Sequence, residues 1–278
     1  MANNVLQVGA VEITAILDAS FSFPATAVFT ATTKEQWASY PEYATGDRPM
    51  LSASMTSFLV RAGGKTILID TGMGAKDRQY FPNGRLPDAL AEAGVRPGDI
   101  DLVVVTHIHI DHVGGHTTRQ GDAWVPAFPT SKHLFAQKEW DYWTAPGVAH
   151  ARGNEYVVDC VLPLRDAVDI ELVSSEHRVT DEITMLPTPG HTPAHTSYLI
   201  SSAGESAVIL GDVAHTPVQV TEGWSGIFDV DPVMAAETRD ALMRRIAGER
   251  HLLVAGHFPF PGFGRVVEVE GRRYWRGL

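Results

Sequence analysis

The chain has 278 residues, 44% hydrophobic and 20% charged, the balance of an ordinary globular protein long enough to bury a sizeable core. A formal net charge of -11 repels nucleic-acid phosphate and anionic membrane surfaces, so neither is an expected partner. No stretch is apolar for long enough to span a bilayer, and the start Met1-Ala2-Asn3-Asn4-Val5-Leu6-Gln7 lacks the basic and apolar regions of a secretion signal, which implies a cytoplasmic location.

The first expected element is a strand over Val11–Leu17. Residues 21–52 follow, rich in aromatics, Ala, Thr and Pro and without clear periodicity; they read as a loop or lid with a short helix near Thr33–Tyr40, or as a dimer-contact segment. A hairpin comes next, Thr56–Arg61 and Lys65–Asp70 around Ala62-Gly63-Gly64, and its second strand ends in Asp70-Thr71-Gly72. Leu86–Ala93 has helical spacing and stops at Gly94. Further strands are expected at Ile100–Val105, Lys132–Ala136, Ile170–Val173, Ile183–Leu186, Ser197–Ile200, Ala207–Leu210 and His251–Ala255. A helix over Pro232–Ala247 offers Met234, Leu242, Met243 and Ile246 for a buried stripe, and Gly264–Trp275 closes the chain as a hairpin. Strands dominate with helices interspersed, which predicts packed sheets with helices outside, in a single domain over residues 1–278.

One cysteine, Cys160, excludes an intramolecular disulfide and a cysteine-rich metal site; within Val157–Leu162 it reads as a small buried hydrophobe. Histidine is the unusual count, with twelve residues gathered mostly in short clusters. The densest is Thr106-His107-Ile108-His109-Ile110-Asp111-His112. Residues i and i+2 of an extended segment point to one side, so His107 and His109 can grip one ion, while Asp111 and His112 turn toward a second. Imidazole and carboxylate suit Zn²⁺ and other first-row divalent ions. A helical zinc-protease site through His112 and His116 is excluded, because Val113 stands where that motif needs Glu and Gly114-Gly115 disfavour a helix. Three later strand ends supply further donors: His191 in Thr188-Pro189-Gly190-His191, Asp212 after Gly211, and His257 after Gly256.

These motifs, in this order over roughly Val11 to Trp275, resemble the metallo-β-lactamase superfamily. The resemblance implies an α+β fold, a four-layer αββα sandwich with a dinuclear site at the edge of its two sheets. It implies that His107, His109 and His191 bind one ion, that Asp111, His112 and His257 bind the other, and that Asp212 bridges them. Asp70 resembles the carboxylate that orients a ligand histidine. The expected cofactors are two divalent ions, foremost Zn, with Mn, Fe or Co also compatible. Class B β-lactamases commonly place cysteine where Asp212 stands, which turns the expectation away from β-lactams.

Within the superfamily the similarity is greatest to quorum-quenching lactonases and methyl-parathion-hydrolase-like proteins, through Thr188–Ser197, Gly211–Gln219 and Gly256–Gly262. Some acyl-homoserine lactonases carry tyrosine three residues after the bridging aspartate, where this chain has His215. The implied activity is hydrolysis of a small-molecule lactone or carboxyl ester by a bridging hydroxide, with a phosphotriester or thioester as the alternative substrate and a non-catalytic metal-binding module as the remaining class. Asp111 is the expected proton carrier and His215 the expected contact to the substrate carbonyl. His195 is expected to support a ligand rather than be one, and His116, His133, His150, His177 and His251 to be structural or at the surface. The candidate aromatic walls are Phe21, Phe23, Trp124, Trp140, Trp143, Trp224, Phe228, Phe258, Phe260 and Phe263.

Overall fold

The computed structural model describes residues 4–75 and 82–278. Six strands come first: β1 (Val5–Val8), β2 (Val11–Pro24), β3 (Ala44–Thr45), β4 (Met50–Ala62), β5 (Lys65–Ile69) and β6 (Leu102–Val104). A separate hairpin, β7 (Thr117–Gln120) and β8 (Ala123–Pro126), is followed by β9 (Lys132–Ala136) and β10 (Asp169–Val173). The first sheet runs β1-β2-β4-β5-β6-β9-β10, with β3 on β4. The second runs in chain order through β11 (Ile183–Pro187), β12 (Thr196–Ser202), β13 (Glu205–Ile209), β14 (Leu252–Val254), β15 (Phe263–Val269) and β16 (Arg272–Gly277).

Side-chain alternation along the strands builds four layers. Ile67 and Ile69 of β5 face the second sheet and pack with Ile183, Tyr198, Ile209 and Val254, whereas Leu68 between them faces outward. Leu68 meets Leu86, Ala89 and Leu90 of the helix Leu86–Glu92. A second group on the same side, from the helices Gln137–Thr144, Pro146–Ala149 and Glu155–Cys160, packs on Val105, Ile108 and Phe135. The helix Pro232–Glu249 covers the far side of the second sheet through Leu242, Met243 and Ile246 against Val208 and Leu253. Burying each such aliphatic side chain contributes about 1.5–3 kcal/mol, so both outer layers are held by apolar contact. The expected αββα sandwich is what these contacts form.

Topology then places the chemistry. β5, β6, β9 and β10 are mutually parallel, as are β13 and β14. Parallel strands deliver their C-terminal ends to one edge, where the following loops converge. Asp70 follows β5, His107 follows β6, Asp212 follows β13 and His257 follows β14.

Most expected elements are present within a residue or two, and the Gly63-Gly64 hairpin turn has both residues at positive φ, 57° and 72°. Two readings need correction. Residues 21–52 are strand at both ends, because β2 continues to Pro24 and pairs with β4 from Met50 onward, so the loop with its short helices is confined to the stretch between them. A register shift between Leu17 and Ala19 breaks the alternation there, which hides the second half of the strand from a pattern search. The expected helix is a single turn, Lys34–Trp37, with Thr33 and Gln36 forming a capping box. In the long helix, Met234 is 42% exposed rather than part of the buried stripe, and Arg239 is buried in it. Cys160 is buried, as expected, at the end of its helix. No helix among the described residues is long and apolar enough to cross a membrane.

Candidate metal centre

The segment after β6 runs extended through His109, which then caps the single turn Ile110–Val113. The extended part aligns the first two imidazoles, and the turn redirects Asp111 and His112. His107 Nε2 lies 3.1 Å from His109 Nδ1, which lies 2.9 Å from His191 Nε2. Asp212 Oδ2 completes this cluster at 3.3 Å from His191 Nε2 and 3.6 Å from His107 Nε2. The second cluster gathers around Asp212 Oδ1, 3.1 Å from His112 Nε2 and 3.0 Å from His257 Nε2. Asp111 Oδ2 joins it at 3.7 Å from His112 Nε2 and 3.4 Å from His257 Nε2.

These spacings match the edges of a coordination polyhedron. Donors roughly 2.0–2.1 Å from one tetrahedral ion stand about 3.3 Å apart. His112 Nε2, His257 Nε2 and Asp212 Oδ1 are also buried without a hydrogen-bond partner, a costly state for a polar atom unless a cation takes its lone pair. The donor sets and the orphaned atoms both fit two divalent ions sharing one carboxylate.

The opposite ring nitrogens are held by protein. Asp70 Oδ2 lies 2.8 Å from His112 Nδ1 and accepts from Thr106 Oγ1, while its Oδ1 accepts from Thr106 N. Ser54 O lies 2.8 Å from His257 Nδ1, Asp229 Oδ1 lies 3.0 Å from His191 Nδ1, and Thr106 Oγ1 lies 3.0 Å from His107 Nδ1. Such partners fix ring orientation and raise ligand basicity. Asp70, expected to orient a ligand histidine, thus contacts His112. His195 has both nitrogens occupied: Nε2 accepts the Asp212 backbone N–H at 2.9 Å, and Nδ1 lies 2.8 Å from Thr188 Oγ1. It therefore braces the backbone at Asp212 and has no ring nitrogen left for either cluster.

Burial and neighbouring charge compete strongly here. Burial would raise the Asp212 carboxyl, but His112, His257 and His215 around it hold it well below the usual carboxylate range. Burial opposes charge on His257 as well, yet Asp212 and Asp111 push it up to about 9. His112 and His191 are raised for the same reason, whereas burial keeps His107 and His109 well below the ordinary imidazole value.

The clusters form the floor of a cavity of about 270 Å³ walled by Phe21, Phe23, Met55, Ile110, Trp143, Tyr156 and Phe228. His215 also faces it, stacked on His257 with centroids 5.4 Å apart, its Nε2 3.1 Å from Asp212 Oδ2. Of the aromatics read from sequence, Phe21, Phe23, Trp143 and Phe228 reach the cavity. Trp140 packs on Phe135, Trp224 on Trp37, Phe258 on Trp275, Phe263 on Phe58, and Phe260 against the inter-sheet core, while Trp124 lies in the β7–β8 hairpin. Met55, Ile110 and Tyr156 were missed because ordinary core residues look the same in sequence. Asp229 and Glu139, both buried carboxylates, were missed because neither lies in a recognisable motif.

His116, His133 and His251 are buried away from the clusters: His116 Nδ1 contacts Thr71 Oγ1, His133 Nε2 contacts Phe128 O, and His251 lies between Ser206 and Glu249. His150 is exposed and His177 half-buried.

The family model described as the metallo-beta-lactamase superfamily matches residues 55–257, a span containing every donor above, and the chain belongs to that superfamily. N-acyl homoserine lactonase AiiA of Bacillus thuringiensis subsp. kurstaki is 23% identical over 225 residues, covering 75% of this chain and 82% of AiiA. Among solved structures, the beta-lactamase-superfamily hydrolase AbOPH is 27% identical with a TM-score of 0.85, covering 99% of this chain and 96% of its own. AidC, a dizinc quorum-quenching lactonase solved with the product N-hexanoyl-L-homoserine, is 21% identical with a TM-score of 0.82 over 99% of this chain and 96% of its own.

Proposed function

We propose that the chain is a dinuclear-metal hydrolase that opens small-molecule lactones, with other carboxyl esters as secondary substrates. The observation that carries this reading is the pair of donor clusters sharing Asp212 on the floor of an apolar cavity. In the proposed assignment His107, His109 and His191 hold one ion, Asp111, His112 and His257 the other, and Asp212 both, with zinc the preferred metal. Two such ions would supply a water acidified toward neutral pH and an electrophile for the substrate oxygen.

The protein's own groups account for the rest. The apolar walls receive an uncharged substrate and exclude bulk water from the carbonyl. Asp111, with 19% of its side chain exposed against 4% for Asp212, is the proposed group that orients the attacking water and passes a proton to the leaving alkoxide. His215, which burial pushes toward the neutral form, is the proposed contact to the carbonyl oxygen. The lactonase names of the curated relatives support the choice of bond; His215, in the place of a tyrosine of some acyl-homoserine lactonases, leaves the acyl-homoserine group a narrower matter for assay.

The test is a hydrolysis panel on metal-loaded protein, comparing lactones of several ring sizes, aryl esters, phosphotriesters and thioesters. Lactones should turn over fastest, and His109→Ala should abolish turnover together with uptake of one ion. Inert lactones beside active phosphotriesters would replace the proposal with a phosphotriesterase.

A further inference from the structure

The helix Gln137–Thr144 contributes no metal donor, yet it carries a carboxylate that is only 2% exposed and whose acceptor positions are all engaged. Glu139 Oε1 accepts from Ile108 N at 3.0 Å and from Trp143 Nε1 at 2.7 Å. Oε2 accepts from Thr192 Oγ1 at 3.0 Å and from Ala194 N at 3.1 Å. Ile108 lies between His107 and His109, and Thr192 follows His191. One carboxylate thus ties the two loops that supply the three-histidine cluster. It also anchors Trp143, whose ring stands edge-on to His109 at 5.2 Å. The second cluster has no comparable tie to this residue: its donors are held by Asp70 and Ser54 O.

We infer that Glu139 is a positioning residue, fixing the His107–His109 loop against the His191 loop and thereby setting the affinity of the three-histidine cluster for its ion. The inference rests on the reading that this cluster holds a metal. An ionised carboxylate is acceptor-only and offers about four lone-pair sites, which here meet four donors. Glutamine cannot substitute. Whichever way its amide is turned, an NH₂ faces two donors and both lose their acceptor.

The experiment titrates metal-free wild type and Glu139→Gln with zinc against a chromophoric chelator. His191→Ala and His257→Ala assign each binding step to a cluster. Wild type should take up two ions. E139Q should bind the three-histidine ion about 10- to 100-fold more weakly, the range for lost supporting contacts, while the other ion keeps its affinity. Wild-type affinity at both clusters, or an equal loss at both, overturns the inference. If E139Q does not fold, Thr192→Val decides, because it removes one donor and leaves the carboxylate in place. A loss confined to the three-histidine cluster supports the inference, and unchanged affinity overturns it. Fewer than two ions in wild type overturns instead the dinuclear reading on which it stands.

Discussion

Replacing Asp229 by alanine perturbs one buried ion pair and one candidate ligand together. The Asp229 side chain is fully buried, as is nearly all of Arg239, with Oδ2 3.3 Å from Arg239 Nη2 and Oδ1 3.0 Å from His191 Nδ1. Arg239 also donates to Val213 O at 2.5 Å, to Gly223 O at 2.9 Å and to Trp224 O at 3.0 Å. Its long helix is thereby fastened to the loop that follows Asp212. D229A would leave the guanidinium buried with neutral acceptors only. Stranding one member of a buried pair costs about 3–5 kcal/mol, because the desolvation of the remaining charge is no longer offset. The freed His191 ring should also weaken metal binding about 10- to 100-fold, equivalent to roughly 1.4–2.8 kcal/mol. Urea denaturation of metal-free D229A, R239M and the double variant separates these effects. Each single variant should be destabilised, and the double variant less than the sum, because it removes the stranded partner. A D229A cost below about 1 kcal/mol, or strict additivity, would refute the argument that this pair braces the site.

The raised values of His112, His191 and His257 predict that metal uptake near neutral pH releases protons, since a ligating imidazole must be neutral. Calorimetry in buffers of different ionisation enthalpy measures the release, and none would contradict the electrostatics described. The same shift affects the metal-free fold. The folded value of His257 is about 9, against roughly 6.5 for an unfolded histidine, so its contribution is fully present below about pH 6.5 and lost as pH rises through 9. The apo melting temperature should fall across that window. Gly211→Ala should damage both clusters at once: Gly211 has φ 58°, and an added Cβ would stand 2.5 Å from His195 Nε2, the atom that accepts the Asp212 N–H. A cost of about 1–3 kcal/mol is expected, with reduced metal content. Gly204→Ala is the control, with φ 81° but nothing within 4 Å of the new Cβ, and should retain both ions.

The sequence by itself determined the candidate donors, their order and most of the strands. His107 to His112 is a local constellation, so its meaning survives without a fold, and buried strands such as Leu102–Val104 announce themselves by unbroken apolar character. Tertiary structure decided the matters that depend on distant segments. The second half of β2 exists because β4 pairs with it, not because its own alternation demands it. Phe21 and Phe23 consequently line the cavity, whereas Trp140 and Phe263 are consumed by the core. Asp229 and Glu139 acquire meaning only when chain folding brings His191, Ile108 and Ala194 to them. A ligand's identity is carried by its own side chain. The groups that hold it in place are drawn from wherever packing leaves a buried donor in need of an acceptor.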